Sequence, residues 1–293
     1  MSSRSFAAIS VLSLTTVWFA LAQTNAPSTG PITGQWTIGK SDSPDKVRFS
    51  ITRTSPNHNM NSSSDAPVSQ FRGITPAQLG SAAGVARFEL VRDAGTFQFE
   101  GYLQNGGGGG NFVFTPNPSF GNELRSFGFK AELTNDKIFT MAVHDVSATY
   151  IRDMNSLGIR PDSEDKLVTM RIHGVSPEFV RTFKDLGYNE LSADKLVTMR
   201  IHGVSADFAK SLKDMNYNSV TPDQMVTMKI HGASIEFMKA INALGYDHPT
   251  IDQFVTMRIH GVTPEYIQKT RNMGMGNLSI DKLVNLRIHG VVE

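Results

Sequence analysis

Residues 35–116 follow a two-residue alternation of hydrophobic and polar side chains. Val47, Phe49 and Ile51 alternate with arginine, serine and threonine, and later stretches repeat the pattern with phenylalanine. Such alternation is typical of a strand with one buried face. Because turn residues separate the candidate strands, the pattern predicts an antiparallel meander whose phenylalanines share one face. Residues 54–69 are polar and predict a loop between two strands.

Two glycine-containing motifs interrupt this pattern. Asn105 to Asn111 contains five glycines, which predicts a flexible hairpin tip and argues against an anion cradle, because no helix follows. The stretch Gly34-Gln-Trp-Thr-Ile-Gly-Lys-Ser41 matches the phosphate-binding P-loop string. A P-loop needs a strand before it and a helix after it, whereas this motif itself has strand character. We therefore expect no phosphate site here.

The remaining chain, residues 117–293, repeats with a period of 29 residues. Twelve identical residues, Asp-Lys-Leu-Val-Thr-Met-Arg-Ile-His-Gly-Val-Ser, occur at 165–176 and again at 194–205. Looser copies, each centred on a histidine, occur at His144, His231, His260 and His289. A fixed period predicts a repeat array in which each unit buries its apolar surface against its neighbours.

Each repeat predicts two short helices. Helix A extends from about Ser192 to His202, with Ser192 as N-cap and Gly203 at the left-handed position after the helix. Helix B extends from Ser205 to Met215. Helices of about ten residues are marginal in isolation, so they must stack. The sequence predicts an α+β protein, in which a small antiparallel β-sheet domain precedes an α-solenoid of six A and six B helices.

The apolar positions of the repeat predict its core. An aromatic residue stands at the third position of every helix B and is expected to be an anchor between helices: Phe120, Tyr150, Phe179, Phe208, Phe237 and Tyr266. In helix A, Leu196, Val197, Met199 and Ile201 fall on one arc and are expected to be buried.

A basic residue recurs within this apolar arc and forms a predicted structural ladder: Arg171, Arg200, Lys229, Arg258 and Arg287. A cation at such a position needs a partner or must extend to solvent. The partner is expected to be an acidic side chain or a helix-end carbonyl of a neighbouring unit. The aspartates at the start of helix A share the period, which makes an Asp–Arg ladder the specific form of the hypothesis. The alternative is that the aliphatic part of each side chain lies on the apolar surface while the charged group extends to solvent.

The polar face of helix A is nearly uniform and forms a candidate ligand ladder: Lys195, Thr198, His202, Thr169, His173, Thr227, His231, Thr256 and His260. Such uniformity suits a repetitive ligand such as a glycan, or it records recent duplication. The histidines could bind metal, but each ends a helix beside a glycine, where a cation favours the helix dipole. No Asp or Glu follows them at metal-binding spacing, so the pattern favours capping over a metal site.

The N-terminus predicts export. Residues 1–22 combine Arg4, an apolar run and the small-x-small motif Ala20-Leu-Ala22, as in a cleaved signal peptide. An uncleaved anchor is the alternative, and no later stretch could cross a membrane. Residues 23–34 form a predicted linker before a β domain at 35–116 and the solenoid at 117–293. The protein is therefore expected in the periplasm or outside the cell.

Composition narrows the function classes. The chain has 28 Lys and Arg against 27 Asp and Glu, a net charge of +1, and no cysteine. This balance argues against nucleic acid as a partner, and the missing cysteine excludes disulfides and thiol chemistry. No paired-acid, Gly-x-Ser-x-Gly or zinc motif is present. We therefore expect no cofactor and no metal.

The repeat motif Leu-Ser-Ala-Asp-Lys-Leu-Val-Thr-Met-Arg-Ile-His-Gly-Val-Ser-x-x-Phe, followed by Leu-Gly-Tyr, resembles repeat arrays of uncharacterised secreted bacterial proteins. It is also similar to the C-terminal tails of some membrane metallopeptidases of the β-lactam-sensor antirepressor type. The resemblance covers residues 117–293. It implies a helical repeat and no activity, because the peptidase motif His-Glu-x-x-His is absent.

These observations leave three hypotheses for function. The first is an exported, non-catalytic binding or assembly scaffold that presents its repeat surface to a protein or an envelope glycan. The second is an envelope regulator that senses or restrains a membrane peptidase, as the resemblance implies. The third is an enzyme with a site in the β domain.

Overall fold

The computed structural model describes residues 31–43, 45–55, 58–80, 83–130 and 133–291. The predicted signal peptide and the linker up to residue 30 lie outside these ranges. A seven-stranded antiparallel sheet is followed by twelve helices within the described residues, which confirms the α+β fold class. None of the helices in the described ranges combines the length and the apolar character that a membrane span requires.

The strands of the sheet are β1 (Ile32–Lys40), β2 (Lys46–Ser55), β3 (His58–Pro67), β4 (Phe71–Arg72), β5 (Gly84–Arg92), β6 (Gly95–Gln104) and β7 (Gly107–Pro116). A five-residue helix, α1 (Pro76–Gly80), connects β4 to β5. The strand order is β3-β2-β1-β7-β6-β5-β4, and every neighbouring pair is antiparallel. The expected single meander is therefore wrong. Two meanders meet where the first strand pairs with the last.

The sheet curls around an aromatic core. β1 and β5 lie three strands apart, roughly 14 Å in a flat sheet, yet the ring centroids of Trp36 and Phe88 are 4.9 Å apart. Phe49 of β2 likewise contacts Phe71 of β4, with 4.8 Å between centroids. The alternating phenylalanines share one face, as predicted, and that face is concave.

The glycine-rich stretch is a strand and not a loop tip. Only Asn105 and Gly106 form the turn, both with positive φ (52° and 81°), which is the type I′ geometry of a two-residue hairpin. The following glycines belong to β7. Gly101 faces Gly110 across the β6–β7 pair, and a Cβ added to Gly101 would stand 2.8 Å from Cζ2 of Trp36. Glycine therefore allows the sheet to close around the indole.

Two other expectations about the sheet need correction. Residues 58–67, predicted as part of a polar loop, form β3 and pair with β2 along its whole length. Their polar side chains gave no strand pattern, because an edge strand pairs through its backbone and exposes much of its surface to water. β1 begins at Ile32, so the last three residues of the predicted linker belong to the sheet. Gly34–Ser41 lies largely within β1, which excludes a P-loop.

The helices after the sheet alternate between two layers. The B helices are α2 (Phe120–Ser126), α4 (Ala148–Ser156), α6 (Pro177–Asp185), α8 (Ala206–Asp214), α10 (Ile235–Ala243) and α12 (Pro264–Asn272). The A helices are α3 (Asn135–Val143), α5 (Glu164–Ile172), α7 (Ala193–Ile201), α9 (Pro222–His231), α11 (Ile251–Ile259) and α13 (Ile280–Ile288). From α4 onward, B helices contact the next B helix, and from α5 onward A helices contact the next A helix. This is the predicted α-solenoid, with its A helices and its B helices in separate layers.

The helix ends follow the predicted capping pattern. Ser192 accepts a hydrogen bond from the backbone N–H of Lys195, and Ser205 does the same for Phe208. Gly203 holds φ of +67°, and Asn216, which replaces a glycine, holds +66°. Each left-handed residue lets the chain reverse sharply into the next helix. The first repeat differs, since Asp145 occupies the glycine position with φ of +54°.

The first A helix joins the solenoid to the sheet. Phe139 of α3 packs on Phe97, Phe112 and Phe114, with ring centroids 5.4 to 5.9 Å apart. Arg53 of β2 forms a 2.7 Å ion pair with Asp136 at the start of the same helix. The first A helix of the repeat thus covers part of the concave face.

Candidate functional site

The predicted structural ladder lies between successive repeats. Each of its cations stands 4.2 to 5.1 Å from the centroid of the aromatic ring at the third position of the preceding helix B. The ring face carries negative electrostatic potential and attracts the cation. The pairs are Arg171 with Tyr150, Arg200 with Phe179, Lys229 with Phe208, Arg258 with Phe237 and Arg287 with Tyr266.

Arg171 and Arg200 also bind a helix end. Nε of Arg171 donates to the backbone oxygen of His144 at 2.9 Å, and Nε of Arg200 donates to that of His173 at 3.1 Å. Both acceptors are C-terminal residues of the preceding A helix, where the helix dipole is negative. The carbonyl form of the hypothesis is therefore confirmed for these two positions.

The predicted Asp–Arg ladder is wrong for Asp165, Asp194 and Asp223. Asp165, Asp194 and Asp223 instead pair with lysines of the preceding A helix: Lys137, Lys166 and Lys195. Within each helix the aspartate and the arginine are six residues apart, or about 9 Å along the axis. Because neighbouring A helices run in the same direction, an aspartate at one helix start meets the next helix start and not its end.

The candidate ligand ladder divides into groups with different roles. Lys195 pairs with Asp223 at 3.3 Å. The hydroxyls of Thr169, Thr198 and Thr227 donate to the carbonyl four residues earlier in their own helix. These threonines can still accept hydrogen bonds from outside. They form a regular row, but their donors are already used within the helix.

The histidines of the ladder end the A helices. His202 and His231 are exposed, whereas His173 and His260 are half-buried, as is Thr256 in α11. The residues that the structure describes contain no group of three or more His, Asp or Glu able to hold a metal ion. His144, at the same position in the first repeat, has a pKa lowered by burial and by the positive charge of Arg171.

A row of exposed isoleucines runs along the solenoid beside the threonines. Each of the last five A helices has one isoleucine at its C-terminal end, 53 to 55% exposed: Ile172, Ile201, Ile230, Ile259 and Ile288. We call these five residues the isoleucine row. The expectation that Ile201 is buried is wrong. At 100° per residue it lies about 40° beyond Val197, and the helix ends there, so no neighbour covers it.

A separate cavity lies where the sheet meets the first two repeats. It has a volume of about 490 Å³. Its floor is apolar and includes Phe49, Phe71 and Leu90, and one wall is the inner face of β3. The opposite wall consists of the C-terminal ends of α3 and α5. The sequence did not indicate this cavity, because its walls are more than 70 residues apart in the chain.

Asp145 organises the charged side of this cavity. Its two carboxylate oxygens pair with different arginines, Arg92 of β5 at 3.2 Å and Arg171 of α5 at 3.0 Å. In the later repeats the equivalent residue is glycine, so aspartate accepts an unfavourable left-handed conformation in order to make these contacts. Burial lowers the pKa of Arg92, and Asp145 opposes that change.

The chain matches no protein-family model, and neither a curated protein nor a solved structure is detectably similar to it.

Proposed function

We propose that this protein is an exported, non-catalytic scaffold that binds another protein along the isoleucine row of its solenoid. The row carries the proposal because it is apolar, exposed and repeated at one position. Exposed apolar surface that is contiguous and bordered by polar groups is typical of protein interaction sites. The row is bordered by threonines, which stand three residues earlier in the same helices.

Comparison of the repeats with one another supports selection on this row. The core position of helix A has diverged and holds Leu196, Met225 and Phe254 in successive repeats. All three side chains are fully buried. The exposed isoleucine stays isoleucine in the same helices, although a polar residue there would be favourable in water. Recent duplication alone would have left the core position equally uniform.

The chemistry of the row favours a protein partner over a glycan. Glycan recognition relies on exposed aromatic faces and on dense hydrogen bonding, whereas the row offers aliphatic side chains beside threonines whose donors are used within their helix. A partner segment with apolar side chains at the spacing of the A helices, about 8–10 Å, would bury several isoleucines at once.

The test is retention of envelope proteins on the immobilised full-length chain. We expect Ile201→Glu with Ile230→Glu to reduce retention of the specific partner at least about tenfold, because each isoleucine contributes apolar burial worth about 1.5 kcal/mol or more. The matched control is Val85→Glu, since Val85 is 72% exposed but lies on the sheet. Equal retention by both variants would contradict the proposal.

The identity of the retained protein decides between a scaffold and a regulator. The sequence resemblance to metallopeptidase tails motivates the regulator hypothesis. If the protein that the row retains is a membrane peptidase, its activity should be measured with and without the chain. A change that the isoleucine variants abolish would favour the regulator.

A further inference from the structure

The cavity between the sheet and the first repeats has two arginine side chains in its lining. Arg92 and Arg171 face it with one shared carboxylate, that of Asp145. Asp65 also borders the cavity, but its carboxylate pairs with Arg48 at 3.3 Å on β2. A second carboxylate near Arg92, that of Asp93, does not line the cavity and accepts a hydrogen bond from the backbone N–H of Ala148 at 2.9 Å. At the cavity surface the two guanidiniums therefore meet the single carboxylate of Asp145, and a ligand with a negative charge would be attracted there.

Arg92 also has a guanidinium donor that has no partner among the described residues. One terminal nitrogen of its guanidinium donates to Oε1 of Gln70 at 2.8 Å, and the other pairs with Asp145. Its Nε is buried and has no hydrogen-bond partner among the described residues. A buried donor without a partner is costly, so protein groups alone satisfy the Arg92 guanidinium incompletely.

The wall opposite the arginines carries hydroxyl groups. Ser62 and Ser64 of β3 pair with Ile51 and Phe49 of β2, so their side chains share the concave face with these two apolar residues. A serine hydroxyl both donates and accepts hydrogen bonds. Together with the phenyl rings of the floor, this wall suits a ring that has one apolar face and several hydroxyl groups.

We propose that this cavity binds a sugar acid, with its carboxylate on Arg92 and Arg171 and its ring hydroxyls on the serines of β3. A guanidinium recognises a carboxylate through paired, charge-assisted hydrogen bonds. The volume of 490 Å³ lies within the range of small-molecule sites, about 300–1,000 Å³. The site is distinct from the isoleucine row, apart from Ile172 at its rim, and does not depend on the proposed scaffold function.

The test is calorimetric titration of the full chain with D-glucuronate and D-galacturonate, beside D-glucose, acetate and N-acetylglycine. We expect a uronate to bind, glucose to give no measurable binding, and acetate to bind far more weakly than the uronate. N-acetylglycine carries the same carboxylate without ring hydroxyls. Tighter binding of N-acetylglycine than of either uronate would overturn the sugar assignment in favour of a peptide C-terminus.

The chain offers a matched pair of variants. Arg171→Gln and Arg200→Gln each remove an arginine that stacks on an aromatic ring and binds a helix-end carbonyl, but only Arg171 borders the cavity. We expect Arg171→Gln to weaken uronate binding about tenfold or more and Arg200→Gln to leave it unchanged. Equal effects of the two variants, or no uronate binding to the native chain, would overturn the proposal.

A second variant keeps the test decisive if Arg171→Gln does not fold. Ser64 is exposed and lies on the edge strand, so Ser64→Val should preserve the sheet, where valine is well tolerated. We expect it to weaken uronate binding and to leave acetate binding unchanged, because it removes a hydroxyl contact and no charge. An unchanged uronate affinity would contradict the assignment of β3 as the sugar-binding wall.

Discussion

Replacement of Arg200 by methionine measures what one cation contributes between two repeats. The side chain makes one hydrogen bond to the His173 carbonyl at 3.1 Å and stacks on Phe179 at 5.1 Å. At an exposed site the stacking is worth about 0.5–1 kcal/mol, and a hydrogen bond to a carbonyl about 0.5–1.5 kcal/mol. Methionine keeps the aliphatic part of the side chain and regains some of this stabilisation through its own contact with the Phe179 ring. We expect a net loss of about 1 kcal/mol.

Urea unfolding of the full chain measures this loss, and a double-mutant cycle identifies its source. Arg200→Met combined with Phe179→Leu should show a coupling of about 0.5–1 kcal/mol, because contacting residues are not additive. Arg200→Met combined with Asp194→Asn should show none, since Asp194 pairs with Lys166. Lys210→Met is the control for a change of net charge, because Lys210 is an exposed lysine on α8.

Two results would refute this reasoning. Coupling of Arg200 to an aspartate of the repeat, larger than its coupling to Phe179, would restore the Asp–Arg ladder. An Arg200→Met variant as stable as the native chain, with no coupling to Phe179, would show that the cation only extends to solvent.

Three further predictions concern stability. Gly203→Ala should destabilise the chain by about 1 kcal/mol because of its positive φ. Gly174→Ala should cost more in the same urea experiment, since its added Cβ would stand 2.8 Å from a terminal nitrogen of Arg200, whereas Gly203 has open space. An equal cost of the two substitutions would contradict this reasoning. Phe208→Ala should cost about 3–5 kcal/mol by cavity formation, and a loss below about 1 kcal/mol would show that the ring is no anchor. Burial and Arg171 lower the pKa of His144, so this imidazole binds a proton more readily in the unfolded chain than in the folded one. The stability of the fold should therefore be unaffected by His144 above the unfolded pKa of about 6.5 and should fall as the pH drops below that value. Thermal unfolding of native and His144→Gln chains between pH 7.5 and 5.5 measures this, and an identical pH dependence in both would contradict it.

The solenoid could be predicted closely because its signals are local and repeated. Ser192, Gly203 and Asn216 act through backbone conformation and hydrogen bonds within a few residues, so the sequence alone indicates their roles. The stacking of like helices follows from the fixed period. The partner of Arg200 was harder to infer, because Asp194 and His173 are both plausible acceptors until the direction of neighbouring helices is known.

The sheet was predicted less well because its strands pair over long distances. β3 carries no alternation of hydrophobic residues, since its hydroxyl side chains border a cavity. The glycines of β7 resemble a loop in sequence, and their role depends on Trp36, which lies far earlier in the chain. The sequence did not indicate that the isoleucine row is exposed, because this exposure depends on where each A helix ends. The Ile-His pair is unchanged among repeats whose core positions have diverged, which was a signal of a role other than packing.

The most direct test of the scaffold proposal is methyl NMR of isoleucine-labelled chain during titration with the retained partner. The isoleucine row supplies five exposed methyl groups, and Ile32, Ile38 and Ile51 in the core of the sheet provide buried references. We predict that the signals of the row shift or broaden together while those of the sheet core stay unchanged. Binding that leaves all five signals of the row unperturbed would contradict the proposal.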